Sequence, residues 1–124
     1  MKLLLDTHIY LWARQSPDRL GAAQRGAIAD PANDVFVSAV VVAELSIKAS
    51  LGKIEGVEPF IADPTADGSY DELPFTTTHA TLLRDLPFHH RDPFDRMLIA
   101  QAISEQATLV TADQAIRQYA VRVL

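Results

Sequence analysis

Lys2-Leu3-Leu4-Leu5-Asp6-Thr7 sets the architecture of the whole chain. Three leucines in a row are far short of the ~20 apolar residues that cross a membrane, and a carboxylate stops the run at once. A brief, continuously apolar run suits a strand covered on both faces rather than one that alternates between core and water. From Thr7 the spacing turns helical, over residues 7–14. Strand, acid, helix is the unit, and the chain uses it again further on.

Val35-Phe36-Val37 follows the turn-like Pro31-Ala32-Asn33-Asp34 and reads as a second strand. Residues 73–76 give a weak third. Thr108-Leu109-Val110-Thr111 is the fourth, ending before Asp113, and residues 121–124 form a fifth at an edge. Helical patterns lie between them. Residues 17–29 read as one helix, with Ser16 as N-cap and Pro17 at the first helical position. Residues 39–51 stop at Gly52, a good residue to follow a helix C-terminus. Further helices are expected over 78–86, before Pro87, over 93–105, and over 113–119. Phe94, Leu98, Ile99, Ala102 and Ile103 make the apolar stripe of the helix over 93–105. Residues 55–70, with Gly56, Pro59, Pro64 and Gly68 and acids at Glu58, Asp63 and Asp67, read as broken helical turns and loop.

The alternation implies an α/β fold, and 124 residues make one domain, 1–124. Such a chain buries about two-thirds of its unfolded surface. With 48% hydrophobic and 22% charged residues, disorder, collagen and coiled coil are poor readings. There is no cysteine, which removes a disulfide scaffold, a zinc–thiolate site and a cysteine nucleophile. No signal-peptide or membrane-spanning pattern is present, so a cytoplasmic location is expected. The net charge of −5 argues against strong nonspecific binding to nucleic acid, though carboxylates gathered around a metal produce such an excess by themselves.

Where the acids fall therefore matters more than their sum. In open α/β sheets, ligands bind beyond the carboxyl ends of strands. Asp6 follows the first strand and Asp113 the fourth. Glu44 sits in the apolar helix start Val40-Val41-Val42-Ala43-Glu44-Leu45, and Asp95 opens the helix over 93–105. Each has a purely structural reading. Asp6 and Asp113 can cap the helices after them, Asp92-Pro93-Phe94-Asp95 is a capping arrangement, and Glu44 can pair with Lys48 one turn on. Glu44 is the hardest to dismiss, because a carboxylate in apolar surroundings costs free energy to desolvate. Four carboxylates from four segments, read as oxygen-only ligands without histidine or cysteine, suit a hard cation, Mg²⁺ or Mn²⁺, and phosphodiester chemistry.

Other motifs carry less. His89-His90 lacks zinc-site spacing and reads as a surface pair or as support for a site. Gly52-Lys53 is not a phosphate-binding loop, Ser38 and Ser46 lack a nucleophile elbow, and Trp12 reads as core rather than as a base-stacking platform.

Leu4-Leu5-Asp6-Thr7-His8, Ser38-Ala39-Val40-Val41-Val42-Ala43-Glu44-Leu45-Ser46-Ile47-Lys48, Leu51-Gly52-Lys53, the run from His90 to Ala102 (HRDPFDRMLIAQA) and Leu109-Val110-Thr111-Ala112-Asp113 together resemble the PIN-domain family, and within it the VapC-type toxin ribonucleases of bacterial toxin–antitoxin pairs. The resemblance runs essentially end to end, and the stretch from His90 is its most specific part. It implies a three-layer α/β/α fold around a parallel sheet and a Mg²⁺- or Mn²⁺-dependent endoribonuclease acting on structured RNA such as tRNA. It implies that Asp6, Glu44, Asp95 and Asp113 are the catalytic, metal-holding quartet, with Asp6 and Asp95 nearest the ion and Thr111 and Asp92 as auxiliaries. It also implies a homodimer restrained by a small VapB-like antitoxin. Lys48, Lys53, Arg84, Arg91 and Arg96 are candidates for an RNA-facing rim. The alternative within the family is a catalytically silent PIN-like interaction module. A two-component receiver fails, because Asp6 is followed by Thr7 rather than a second acid and no lysine occurs after Lys53. A sugar-phosphatase pattern fails because His8 stands where a second aspartate is needed.

Overall fold

The computed structural model describes residues 1–65 and 68–124. Its strands are β1 (Lys2–Leu5), β2 (Asp34–Ser38), β3 (Asp71–Leu73), β4 (Thr108–Val110) and β5 (Arg122–Val123). They form one sheet in the order β3-β2-β1-β4-β5, with every pairing parallel. The helices are α1 (Thr7–Gln15), α2 (Ala22–Ala29), α3 (Ala39–Ser50), α4 (Glu58–Ala62), α5 (Thr77–Leu82) and α6 (Pro93–Glu105). Leu3, Leu4 and Leu5 point to alternate faces of the sheet, and all three are fully buried. Both faces of β1 are therefore covered, which gives the three layers that short apolar strands require.

Local chemistry explains most boundaries. Asp92 caps α6 by accepting the N–H groups of Phe94 and Asp95, and Pro93 stands at the first helical position. Ser38 caps α3 through the Val40 N–H. At the other end of α3, Gly52 adopts φ +70°, and the Gly52 and Lys53 N–H groups close on the carbonyls of Ala49 and Lys48. That pair of bonds is the Schellman closure, and the left-handed residue it needs is most cheaply a glycine.

Four expectations are corrected. The helix expected over 17–29 is two pieces: a 3₁₀ turn at Pro17–Arg19, then α2 after Gly21. Leu20 between them is extended and buried in the core, and the Gly21 N–H is taken by the Gln24 side chain. Burying Leu20 thus outweighs helix continuity. The third strand ends at Leu73, not at residue 76, because Pro74 has no N–H to offer the ladder. Its exposed Asp71 and Glu72 suit an edge strand. The helix expected over 78–86 is only Thr77–Leu82. Its start is capped by the buried His79, whose Nδ1 accepts the Thr76 N–H. The last helix is a 3₁₀ turn, Gln114–Gln118. The broken turns expected over 55–70 comprise α4 and loop, with Ala66 and Asp67 outside the described residues.

The core joins Leu3, Leu4, Leu5, Val37, Leu109 and Val110 of the sheet to Ile9, Tyr10, Leu45, Leu98 and Ile99 of the helices. One polar strut crosses it. The Ser38 hydroxyl meets Gln101 Oε1 at 2.5 Å, and Gln101 Nε2 donates to the Pro74 carbonyl at 3.2 Å. Ser38 and Gln101 are both fully buried, so this strut ties the end of β2 and the start of α3 to the middle of α6. Ser38→Ala removes a helix cap and leaves a buried amide oxygen without its partner, which together cost about 2 kcal/mol. Urea denaturation of the two proteins should show that loss as a lower midpoint at an unchanged slope.

Candidate metal centre

β1 and β4 are neighbours in space although they are far apart in sequence. The chain moves outward from β1 through β2 to β3, then crosses back to β4 on the other side. The strand order therefore reverses between β1 and β4, and a crevice opens beyond their carboxyl ends. Asp6 stands there, its N–H bonded to the Val110 carbonyl at 3.1 Å, which carries the β1–β4 ladder one residue past the strands. Asp113 stands three residues beyond β4. Thr111 joins the two: its side chain hydrogen-bonds Asp6, and its Oγ1 accepts the Asp113 N–H at 3.0 Å.

Asp95 and Glu44 arrive from the helices. The Asp92–Pro93 cap fixes the first turn of α6, where Asp95 lies. Glu44 is buried on α3, and both its oxygens are engaged, Oε1 by the Thr7 hydroxyl and Oε2 by Lys48 Nζ, each at 2.6 Å. The structural readings of these acids thus hold together with their clustering. Asp6 caps α1 through Oδ1 and the Ile9 N–H, and Asp113 caps the final 3₁₀ turn through Oδ1 and the Ala115 N–H. Capping occupies Oδ1 in each case, and Oδ2 of Asp113 meets His90 Nε2.

The electrostatics record how crowded this is. Burial drives the Asp95 carboxyl up to about 7, helped by the charges of Asp92, Asp6 and Glu44 and opposed by His90. Burial also raises Asp6, against the hydrogen bonds from Thr111 and Ile9. Asp113 ends below its ordinary value: burial pushes it up, but the bonds from His90 and the Ala115 N–H, with His90 and His8 nearby, outweigh that push. The Lys48 ammonium is held above its usual range by its bond to Glu44, which outweighs burial, and by the charges of Asp92 and Asp95.

His90 is the residue that sequence reasoning placed too loosely. Its Nε2 lies 2.6 Å from Asp113 Oδ2 and 3.1 Å from Asp95 Oδ2. A metal-ligand reading of His90, Asp95 and Asp113 follows from distance alone, since one ligand atom from each lies within 4.8 Å of the others. The other ring nitrogen argues against it. Nδ1 accepts the Asp92 N–H at 3.1 Å, so the neutral ring carries its proton on Nε2 and donates toward the two carboxylates. A metal-bound histidine instead donates from its second nitrogen. The ring tethers Asp95 to Asp113, and the donors suited to an ion are the carboxylates. Tyr119 holds His90 in place by accepting its backbone N–H at 2.9 Å. Only the neighbouring acidic motif could have pointed to this role in the sequence.

The donor set fits a hard divalent cation. Asp6, Asp95 and Asp113 line one cleft of about 290 Å³ with His8, Trp12 and Ala112. Neighbouring carboxylates help to raise Asp6 and Asp95, a repulsion that a cation would relieve, and oxygen-only ligation favours Mg²⁺ or Mn²⁺. Glu44, committed to Thr7 and Lys48, adds negative field beside them.

The rim residues separate. Lys53, Arg84 and Arg91 are exposed, and Lys48 reaches the acids through Glu44. Arg96 leaves the rim: it is buried and donates to the Pro87 carbonyl at 2.7 Å and the Leu86 carbonyl at 3.1 Å, beneath the Phe88 ring. It is a strut for the loop before α6. Trp12 packs against the core as expected, and it is also a wall of the acidic cleft.

The family model described as PIN domain matches residues 3–122. No curated protein sequence matches the chain. Among solved structures, VapBC2 from Rickettsia felis, bound to a DNA fragment from its promoter, is similar with a TM-score of 0.75 at 20% identity, covering 100% of this chain and 98% of that one. DNA-bound VapBC from Salmonella typhimurium has a TM-score of 0.72 at 16% identity, with coverages of 100% and 97%. The PIN domain endonuclease Utp24 has a TM-score of 0.56 at 18% identity, with coverages of 94% and 74%. At these identities the likeness is one of fold.

The raised carboxyls give the metal-free protein a definite pH dependence. The stabilisation from a raised carboxyl is complete below its unfolded value, near 3.8 for aspartate, and for Asp95 it is lost as pH climbs through about 7. In EDTA, the melting temperature should therefore fall between about pH 5 and about pH 8. Asp95→Asn should melt higher than the parent at the upper end of that range, by a margin that shrinks toward the lower end. A margin that is constant with pH would contradict this assignment.

Proposed function

The chain belongs to the PIN-domain family, and from that premise we propose that it is a metal-dependent endoribonuclease, the toxin of a toxin–antitoxin pair, cutting structured RNA such as tRNA. The observation that carries this reading is the convergence of Asp6, Asp95 and Asp113, from three separate segments, on one cleft beyond β1 and β4, with the charge of Glu44, from a fourth, beside them. One capping carboxylate has an ordinary explanation. Acids from four segments, placed so that burial and neighbouring carboxylates raise Asp6 and Asp95, do not.

Asp6, Asp95 and Asp113 would hold the ion, Mg²⁺ or Mn²⁺. When bound, such an ion supplies water activation and charge neutralisation at a phosphoryl oxygen. The chain's own residues do the rest. Thr111 and His90 fix the separation of the three aspartates. Thr7 and Lys48 hold Glu44 rigid, and Lys48 offsets part of its charge. A carboxylate beside the ion would accept the proton as water attacks in line. A 5′-phosphate and a 3′-hydroxyl are the expected products. Lys53 and Arg91, exposed, are suited to the RNA backbone, as Lys48 is from its place beside Glu44.

The similarity to VapBC complexes supports an antitoxin partner, and assembly as a homodimer is proposed with it. Ile47 and Leu51, one turn apart at the end of α3, are exposed apolar residues of the kind a partner chain covers. Among the described residues no helix is long and apolar enough to cross a membrane; the place of action proposed with this function is the cytoplasm.

The test is cleavage of total bacterial RNA, tRNA included, by purified protein freed of antitoxin, with Mn²⁺ or with EDTA. Discrete fragments should appear only with metal, and Asp95→Asn should slow their formation about 100-fold or more. A folded protein that binds no Mn²⁺ and cuts nothing would overturn this reading in favour of a silent interaction module.

A further inference from the structure

The cleft that holds three of the acids is not acidic throughout. Trp12 forms one wall, and His8, one turn before it on α1, forms another. The two rings stand 6.0 Å apart with their planes at 47°. Arg19, exposed on the 3₁₀ turn that follows α1, places its guanidinium 4.7 Å from the Trp12 ring. A bound cation needs none of these groups. A strongly acidic cleft also repels a polyanion, so an anionic substrate must gain its affinity from something besides the carboxylates.

An unpaired nucleotide matches the arrangement. Its phosphate belongs at the acids and their ion, and its base presents a flat apolar face. Aromatic side chains and arginine planes are the ordinary platforms for splayed-out RNA bases. Resting on the nuclease reading above, we propose that Trp12, with Arg19 and His8, forms a base-stacking subsite beside the cleaved phosphate, so that the enzyme takes its substrate at an unpaired nucleotide. Asp6 ties this subsite to the chemistry. Its carboxylate caps α1, the helix that carries both His8 and Trp12, so the position of the aromatic wall is fixed by one of the acids themselves.

Trp12 is the only tryptophan in the chain, so its fluorescence reports on this subsite alone. The full chain is titrated, with Ca²⁺ in place of a catalytic ion, with a random-sequence pool of single-stranded ten-nucleotide RNA. An abasic ribose-phosphate chain of the same length is titrated in parallel. Binding of both is followed separately by polarisation of an end label. The RNA should quench Trp12 saturably, over the same concentrations that raise the polarisation, and the abasic chain should not. Trp12→Leu should weaken RNA binding roughly 10-fold, and Trp12→Phe much less, with Mn²⁺ affinity unchanged in both. RNA that binds without quenching Trp12, or equal quenching by the abasic chain, would overturn the subsite and leave the nuclease reading standing. Absence of any RNA binding together with absence of cleavage would overturn both. The quenching measurement needs no variant, so it decides the matter even if Trp12→Leu fails to fold.

Discussion

Parallel pairing of β1 with β4 is the constraint on which the rest of the molecule depends. It carries Asp6 alongside Val110, and through Thr111 it brings Asp6 within reach of Asp113. The pairing is non-local, and its strands gain almost nothing from turn chemistry. It is held by burial of Leu3, Leu4, Leu5, Leu109 and Val110 on both faces of the sheet. The apolar run at the N-terminus is thus spent on placing one carboxylate.

That placement costs free energy, and the surroundings are built to bear it. Buried or half-buried carboxylates face one another, and burial holds Asp95 near neutrality. The crowding is relieved piecewise: helix caps for Asp6 and Asp113, an ammonium for Glu44, a histidine N–H between Asp95 and Asp113. Each relief is partial, and a cation is the species that would complete it. The polar strut of Ser38 and Gln101 serves the same end from a distance, because it sets α3, which carries Glu44, against α6, which carries Asp95.

The sequence disclosed what local chemistry determines. The apolar runs of β1, β2 and β4 are read correctly because a strand buried on both faces leaves an unbroken hydrophobic signature. Helix α6 is read to the residue because Asp92 and Pro93 mark its start. The four acids stand out by position, after strands or inside an apolar helix. What was hidden depends on distant partners. Leu20 breaks a helix that its neighbours favour, because the core claims its side chain. Arg96 looks like one more surface cation until Leu86 and Pro87 turn their carbonyls toward it. His90 reaches Asp95 and Asp113 from a loop held by Arg96 and by Tyr119, a residue 29 positions away. Trp12 serves the core and the cleft at once, and no spacing rule distinguishes one aromatic face from the other.

Direct binding of Mn²⁺, followed by titration calorimetry at neutral pH, goes to the heart of the account. If the carboxylates were gathered for a cation, the wild-type chain takes up Mn²⁺ saturably and releases protons as Asp95 loses its own. Asp6→Asn and Asp95→Asn then lose that uptake while remaining folded. A folded wild-type chain that shows no saturable uptake, or an Asp6→Asn variant that binds as tightly as its parent, would contradict it.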